Sequence, residues 1–261
     1  MTLTLKNAPL VEVVFGIDFE EIEWLRSTHF GLYWGTIGER FPISEDHPPI
    51  GELKLDPQNL SLPPLRRTWF ISEDQSSLLQ LQNNKFLLNW RKTKGSTYPR
   101  FPNLKESFFK EFASFKGFVS DFYGEDFKFS IKGCELSYIN IVDNFEDWSN
   151  LENVTKILPQ FDWRNTDAEY LASPKKFRWS SEFEINDEMV LKTVAKSVMR
   201  KVPNDEKRAF QLDLHVSGLN VDKSESGLSD WFDSAHETII NGFKDLTSQS
   251  TQENWWGKTD E

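Results

Sequence analysis

Residues 66–122 constrain this chain most, because a hairpin pattern is followed there by a long aromatic helix pattern. In SLLQLQ-NN-KFLLNWR, residues 77–91, apolar and polar side chains alternate with the period of half-buried strands. Asn83-Asn84 predicts a two-residue turn, since Asn tolerates the left-handed backbone that such a turn requires. One face of the hairpin then carries Leu79, Leu81, Phe86, Leu88 and Trp90. A one-residue slip would expose the apolar set, so the pattern also fixes the register.

After Pro102, apolar residues recur every three or four positions, which is the spacing of one helical face. These residues are Leu104, Phe108, Phe112, Phe115, Val119 and Phe122. An aromatic stripe of this kind is typical of a hydrophobic core. We therefore predict a long helix that covers the hairpin and the strand RRTWFIS before it.

The rest of the chain repeats this organisation. Residues 10–19 predict a first strand, in which Gly16 marks a bulge or a close backbone approach, and residues 20–40 predict a helix. Further strands are predicted over residues 127–143, 175–185, 189–199 and 208–218, with a short helix near 150–158 and an irregular segment over 161–174. A second long helix is predicted over residues 228–246, with Ser226 or Ser229 as its N-cap.

Residues 41–64 contain six prolines and many acidic residues, which predicts a loop without regular structure. A loop of this length is a lid, an arm that docks on a partner, or a disordered segment.

The two parts of the chain share the order strand, helix, three antiparallel strands, long helix. This order predicts an α+β fold with antiparallel sheets covered by two long helices. The predicted division is residues 1–124 for the first half, residues 125–249 for the second half and residues 250–261 for a polar C-terminal tail.

Composition excludes several classes of protein. A single cysteine among 261 residues excludes an internal disulfide and a multi-cysteine zinc site. The N-terminus lacks a secretory pattern, and no apolar stretch reaches the length of a membrane span. We therefore expect a cytoplasmic protein that does not insert into a membrane and binds neither metal nor cofactor.

Charge is distributed unevenly along the chain. The net charge is −11, yet residues 66–105 hold eight basic and two acidic side chains. The excess of acidic residues argues against general affinity for nucleic acid, so we expect the protein to bind nucleic acid only weakly. The candidate binding surface on the basic strands is Arg66, Arg67, Gln80, Gln82, Asn89, Arg91, Tyr98 and Arg100. Such a polar set suits a protein partner or a small anionic ligand.

The sequence contains no loop pattern for phosphate binding and no nucleophile elbow. His236 and Glu237 lie within one helical turn of Asp233 and are a weak candidate for general-base chemistry, but Ile240 stands where a zinc-binding histidine would be needed. Cys134 is predicted to lie on a strand, and His215 is a candidate for a neighbouring strand. We interpret Cys134 as a buried, inert thiol. Trp255 and Trp256 are weak candidates for partner binding, and docking on the chain's own body is the alternative.

Three blocks resemble a known family: NAPLVEVVFGI at 7–17, WFIS with QLQNNKFLLNWRK and YPRF at 69–101, and AHETIINGF at 235–243. Together they resemble a sporadically distributed family of uncharacterised prokaryotic proteins, over nearly the whole chain. The resemblance implies no catalytic residue. Its patchy distribution is typical of accessory or defence-linked genes.

We therefore expect a non-enzymatic, soluble binding protein, a partner or regulatory subunit of the antitoxin or immunity type encoded beside the protein that it controls. One alternative is a sensor that holds a small molecule or nucleotide in a groove between the halves. Another is a protein that binds or processes RNA through the basic strands.

Overall fold

The computed structural model describes residues 4–50, 66–124, 127–143, 152–161, 170, 176–202, 205–219 and 221–259. The strands are β1 (Thr4–Leu5), β2 (Leu10–Phe19), β3 (Ile43–His47), β4 (Arg67–Ile71), β5 (Ser77–Gln82), β6 (Lys85–Arg91), β7 (Ile131–Val142), β8 (Arg178–Asn186), β9 (Met189–Val202), β10 (Asp205–Gly218) and β11 (Lys258–Thr259). The helices are α1 (Ser27–Ile37), α2 (Phe101–Tyr123), α3 (Glu152–Ile157), α4 (Glu225–Leu246) and α5 (Gln249–Asn254).

Nine strands form one sheet in the order β3-β4-β5-β6-β2-β7-β10-β9-β8, and β1 pairs with β11 in a separate two-stranded sheet. The order confirms the predicted α+β fold. From β2 outward, the first half runs through β6, β5 and β4, and from β7 outward the second half runs through β10, β9 and β8. Each half therefore places its first strand next to the last strand of its own three-stranded meander, which is the same topology twice.

The residues fall into two compact units by their internal contacts. The first unit contains residues 13–135 and 218–228, and the second contains residues 1–12, 136–217 and 229–261. The division at residues 124 and 249 stays a prediction. Among the described helices, none combines the length and the apolar character that crossing a bilayer requires.

The hairpin of the first unit has the predicted register. Gln82 pairs with Lys85 across the Asn83-Asn84 turn, and Leu81 pairs with Phe86. The apolar side chains of the hairpin are buried against α2, where the Phe86 ring lies 5.4 Å from Phe112 and 5.6 Å from Phe115. Aromatic contacts at these distances stabilise the core beyond the area that they bury.

Two details of the first unit correct the prediction. Phe122, assigned to the buried stripe of α2, is 47% exposed, so the buried stripe ends at Val119, one turn before the helix does. The first helix begins at Ser27 instead of Glu20, and there the His29 side chain accepts a hydrogen bond from the Arg26 backbone N–H.

The proline-rich stretch also contains regular structure that was not predicted. Residues Ile43–His47 form β3, which pairs antiparallel with β4 at the edge of the sheet. The prediction was wrong there because Pro42 and Pro48 flank the strand and leave its interior free of proline. Residues 51–64 of the predicted loop lie outside the described residues.

Between residues 125 and 249 the predicted strands are confirmed as β7 to β10, and the short helix is α3. The long helix α4 begins at Glu225, and its cap is Ser224, whose Oγ accepts a hydrogen bond from the Gly227 N–H. This corrects the assignment of the cap to Ser226 or Ser229. Most of the segment predicted to be irregular, residues 162–169 and 171–174, lies outside the described residues.

The predicted polar tail is partly structured. It contains most of α5 and, after it, β11, and the Trp256 backbone carbonyl accepts a hydrogen bond from the Asn7 N–H. The Trp256 side chain is 1% exposed and its ring lies 5.1 Å from Phe243. The alternative in which Trp256 is exposed for partner binding is therefore wrong, because its side chain docks on the body of its own chain.

Candidate functional site

Strand register decides which predicted binding residues share a surface. In β4 to β6, Trp69 pairs with Gln80, Gln80 with Leu87, and Leu78 with Asn89. Because side chains alternate between faces, one set lies on the face opposite the aromatic core. We call it the basic face, and it comprises Arg67, Trp69, Gln80, Gln82, Asn89 and Arg91.

A chain of hydrogen bonds crosses the basic face. Arg67 Nη1 donates to Gln80 Oε1 at 2.9 Å, and Gln80 Nε2 donates to Asn89 Oδ1 at 2.7 Å. Gln82 instead bonds the backbone of Ile50, donating to its carbonyl and accepting from its N–H. Gln80, Gln82 and Asn89 are all buried, so the predicted solvent-exposed polar surface is a buried network in its centre.

Three donors on the basic face have no acceptor among the described residues. They are the Nε atoms of Arg67 and Arg91 and the indole Nε1 of Trp69, all buried. In the described part of the chain, neither guanidinium has a carboxylate within 4.0 Å. Buried donors without acceptors are rare in folded proteins, and an unoccupied ligand position is one explanation for them.

Arg67 and Trp69 form the compact end of this face. Arg67 Cζ lies 5.4 Å from the centre of the Trp69 ring, and the His47 ring stacks on the same indole at 3.6 Å. His47 Nε2 lies 3.0 Å from Glu45 Oε2. Burial lowers the pKa of Arg67, but a guanidinium keeps its charge at neutral pH. A cationic donor and a neutral donor, both buried, therefore lie side by side here.

Arg91 belongs to a different part of the same face. Six residue steps separate its position along the strands from that of Arg67, which corresponds to about 20 Å. A small ligand at Arg67 therefore does not reach Arg91.

The remaining predicted residues lie elsewhere. Arg66 is exposed, and its Nη1 lies 3.6 Å from Asp46 Oδ2. Tyr98 packs against Trp90, which belongs to the core face of the hairpin, with ring centres 5.1 Å apart. Arg100 is exposed and precedes α2 with a φ of 74°. The structure does not bring these three onto the basic face.

A cavity of about 310 Å³ opens between the hairpin and the start of α2. Its polar lining includes Ser77, Asn89, Ser96 and Asn103, and Trp90 forms an aromatic wall. Asn89 therefore touches both this cavity and the buried network of the basic face.

His236 and Glu237 do not form a pair in the structure. His236 Nδ1 is hydrogen-bonded to the Tyr138 hydroxyl at 2.8 Å, whereas Glu237 is exposed. Burial lowers the pKa of His236 to about 4, which the Asp233 charge only partly opposes. The imidazole is thus neutral at pH 7 and connects α4 to β7.

Cys134 and His215 are also engaged separately. Cys134 is buried, and burial, followed by the charges of Asp18 and Glu135, raises the pKa of its thiol to about 12. His215 Nδ1 is bonded to the Ser137 hydroxyl at 2.7 Å. A thiol with so high a pKa is not a nucleophile at neutral pH.

Sequence reasoning missed His47, Glu45 and an exposed cluster around Trp24. His47 lies in the proline-rich stretch, and ISEDH has one apolar residue followed by four polar ones, so no alternation there predicts a strand. Trp24 follows EEIE, where an isolated aromatic residue among acids is the only signal. In the described residues, no three His, Cys, Asp or Glu side chains are grouped as a metal site requires. No protein-family model matches this chain, and no curated protein sequence matches it either, so the family resemblance stays a prediction.

Proposed function

We propose that this protein is a non-catalytic binding protein that holds a small anion at Arg67 and Trp69 on the basic face. The observation that carries the proposal is the pair of buried donors, Arg67 Nε and Trp69 Nε1, without acceptors among the described residues. A carboxylate or phosphate supplies several acceptor oxygens, and its charge complements the guanidinium. Gln80 orients the guanidinium through the bond to Nη1.

The state of the titratable candidates supports the absence of catalysis. His236 is held neutral by burial and bonded to Tyr138, away from Glu237. Cys134 carries a thiol whose pKa lies far above neutral pH. A general base or nucleophile needs a pKa matched to its working pH, and neither group has one.

Thermal unfolding in the presence of inorganic phosphate or acetate tests the anion site. A ligand that binds only the folded state raises the Tm as its concentration rises. We expect phosphate or acetate to raise the Tm of the natural protein, and the two titrations distinguish the two anions. Trp69→Phe keeps an aromatic side chain and removes the N–H donor, and Arg67→Met removes the charge, so both variants should lose the shift.

Arg66→Met is the matched control, because it removes the adjacent, exposed arginine and should retain the shift. If Arg66→Met loses the shift as fully as Arg67→Met, the effect is general electrostatics and the site is wrong. Single-stranded RNA is tested in parallel. Tight binding at physiological salt, abolished by Arg91→Ala with Arg100→Ala, would favour the nucleic-acid alternative instead, since backbone contacts weaken steeply with salt.

Our second proposal is that the protein acts in the cytoplasm as the regulatory partner of another protein, in the manner of an antitoxin or immunity protein. The observation that favours it is the exposure of Phe122 and Tyr123, which are 47% and 48% exposed at the end of α2. Exposed aromatic side chains of this size are enriched at protein interfaces. A pull-down that uses the products of the neighbouring genes tests it, and capture of none of them would contradict the role.

A further inference from the structure

An aromatic patch lies where the last turn of α2 meets the segment after β2. It comprises Trp24, Phe122, Tyr123 and Phe127, all in the first unit. The rings of Trp24 and Tyr123 stack at 3.7 Å with an angle of 18°, and the Phe127 ring lies 6.0 Å from Tyr123. The Phe122 ring packs edge-on against His29 at 5.4 Å. These contacts hold exposed rings in fixed positions, which is the property of a preorganised binding surface.

Carboxylates border this patch. A groove of about 290 Å³ is lined by three aromatic residues, by an acidic run and by one cation. They are Trp24, Phe127 and Phe129, then Glu20, Glu21 and Glu23, and Lys128, so carboxylates outnumber cations three to one in the lining. Glu20 is paired with Lys132 at 3.0 Å. In the described part of the chain, Glu21 and Glu23 have no cation within 4.0 Å, and Glu21 accepts a hydrogen bond from the Asn83 amide.

We propose that the aromatic patch, together with Glu21 and Glu23, docks a basic segment of a protein partner. Arg and Lys side chains place their aliphatic stems along apolar surface and their charges at its edge. Over Trp and Tyr rings their cations also gain a favourable interaction with the ring. Glu21 and Glu23, which have no cation within 4.0 Å among the described residues, border the stacked rings and match both requirements. The inference rests on the partner-directed role proposed above and names the chemistry of that partner.

Charge complementarity decides between this occupant and others. The chain carries a net charge of −11, so a second copy would bring like charges together at an acidic border. The same repulsion disfavours nucleic acid and anionic membranes. A basic partner gains from the border charges and from long-range attraction during the encounter.

A fluorescent peptide of alternating Arg and Gly is the probe, measured by anisotropy with the full-length protein. We expect binding, and a peptide with Glu in place of Arg should not bind. Glu21→Gln with Glu23→Gln should weaken binding about tenfold, as expected for two peripheral charge pairs. Glu73→Gln with Glu106→Gln removes the same charge from other exposed positions and should change affinity less than about twofold.

Phe122→Ser with Tyr123→Ser tests the aromatic part, and Leu32→Ser is its control because Leu32 is 53% exposed on a different helix. We expect loss of binding only in the first variant, with both variants folded by circular dichroism. Equal weakening by both pairs of Glu variants, or no binding by the natural protein, would overturn the proposal. So would a dimer in sedimentation that Phe122→Ser with Tyr123→Ser dissociates.

All these variants retain Arg67 and Trp69. The phosphate titration of the same proteins therefore separates the two sites. A retained phosphate shift with lost peptide binding is the expected result, whereas loss of both would mean that the variants disturb the whole unit and that the patch is not an independent surface.

Discussion

Two regions on the basic side of the sheet differ in whether the cation of a basic side chain has a carboxylate partner. Lys85 Nζ lies 2.7 Å from Asp18 Oδ1 and 2.9 Å from Glu135 Oε2, and its side chain is 13% exposed. Arg67 and Arg91 are half-buried, each with a buried Nε that has no acceptor among the described residues. The chain itself supplies the carboxylates that pair with Lys85, whereas each of the two arginines keeps a donor without an acceptor among the described residues.

The pKa values follow the same division. Burial disfavours the charged form of Lys85, but Glu135 and Asp18 outweigh burial and raise its pKa. Burial alone lowers the pKa of Arg67. Gly16 allows the paired region to form, because a Cβ there would lie 2.5 Å from Glu135 Cγ and from Leu87 Cδ2. The partners of each charge, more than its depth, distinguish the region around Lys85 from the anion site proposed at Arg67.

The largest effect is expected for Lys85→Met. This variant leaves Asp18 and Glu135 close together without their cation, and breaking a buried pair costs about 3–5 kcal/mol of the free energy of unfolding. Urea denaturation measures the loss. Lys192→Met, which removes the exposed partner of Glu182, is the control and should change little. A loss no larger than that of the control would show that the Lys85 region is not structural.

A third way to bury a polar side chain is to keep it neutral, as for His236. The folded protein binds this proton near pH 4 and the unfolded chain near 6.5, so unfolding takes up a proton between these values. The free energy of unfolding should therefore fall as pH falls from about 6.5 to about 4, by at most roughly 3 kcal/mol from this residue. For His236→Gln, the free energy of unfolding measured by denaturation should depend less steeply on pH across the same range. Parallel slopes for both proteins would contradict the prediction.

A smaller loss in the free energy of unfolding is expected at Gln80, where the polar groups of the basic face are already hydrogen-bonded. Gln80→Met removes the acceptor of Arg67 Nη1 and the donor to Asn89 Oδ1, which costs about 1–3 kcal/mol. Gln75→Met, at an exposed turn position, is the control. The denaturant midpoint of Gln80→Met should be lower than that of Gln75→Met. Equal midpoints would mean that the network through Gln80 contributes nothing.

The smallest effect should have the opposite sign. Arg91→Met removes a buried donor that has no acceptor among the described residues, so the free energy of unfolding should stay the same or rise by up to about 1 kcal/mol. Arg40→Met is the matched control, because Arg40 forms two hydrogen bonds to the largely buried Glu111 carboxylate and its loss should destabilise. If Arg91→Met destabilises as much as Arg40→Met, Arg91 is a structural residue like Lys85.

Local patterns in the sequence determined the elements that carry the core. Alternation in β5 and β6, the Asn83-Asn84 turn and the three-to-four spacing in α2 are properties of neighbouring residues, and the structure has all three. The same alternation placed Gln80, Asn89 and Arg91 on one face, because strand parity follows from sequence alone. The sequence predicted a bulge or a close backbone approach at Gly16, and in the structure the side chains of Glu135 and Leu87 lie against it.

Only the tertiary structure decided which of these polar residues is satisfied. Lys85 and Arg91 are similar in sequence terms, yet Asp18 and Glu135 come from β2 and β7 to pair with the first of them alone. The stacking of His47 on Trp69 and of Trp24 on Tyr123 likewise joins residues far apart in the chain. Pairings across such separations depend on strand order and packing, and no periodicity within one segment contains that information.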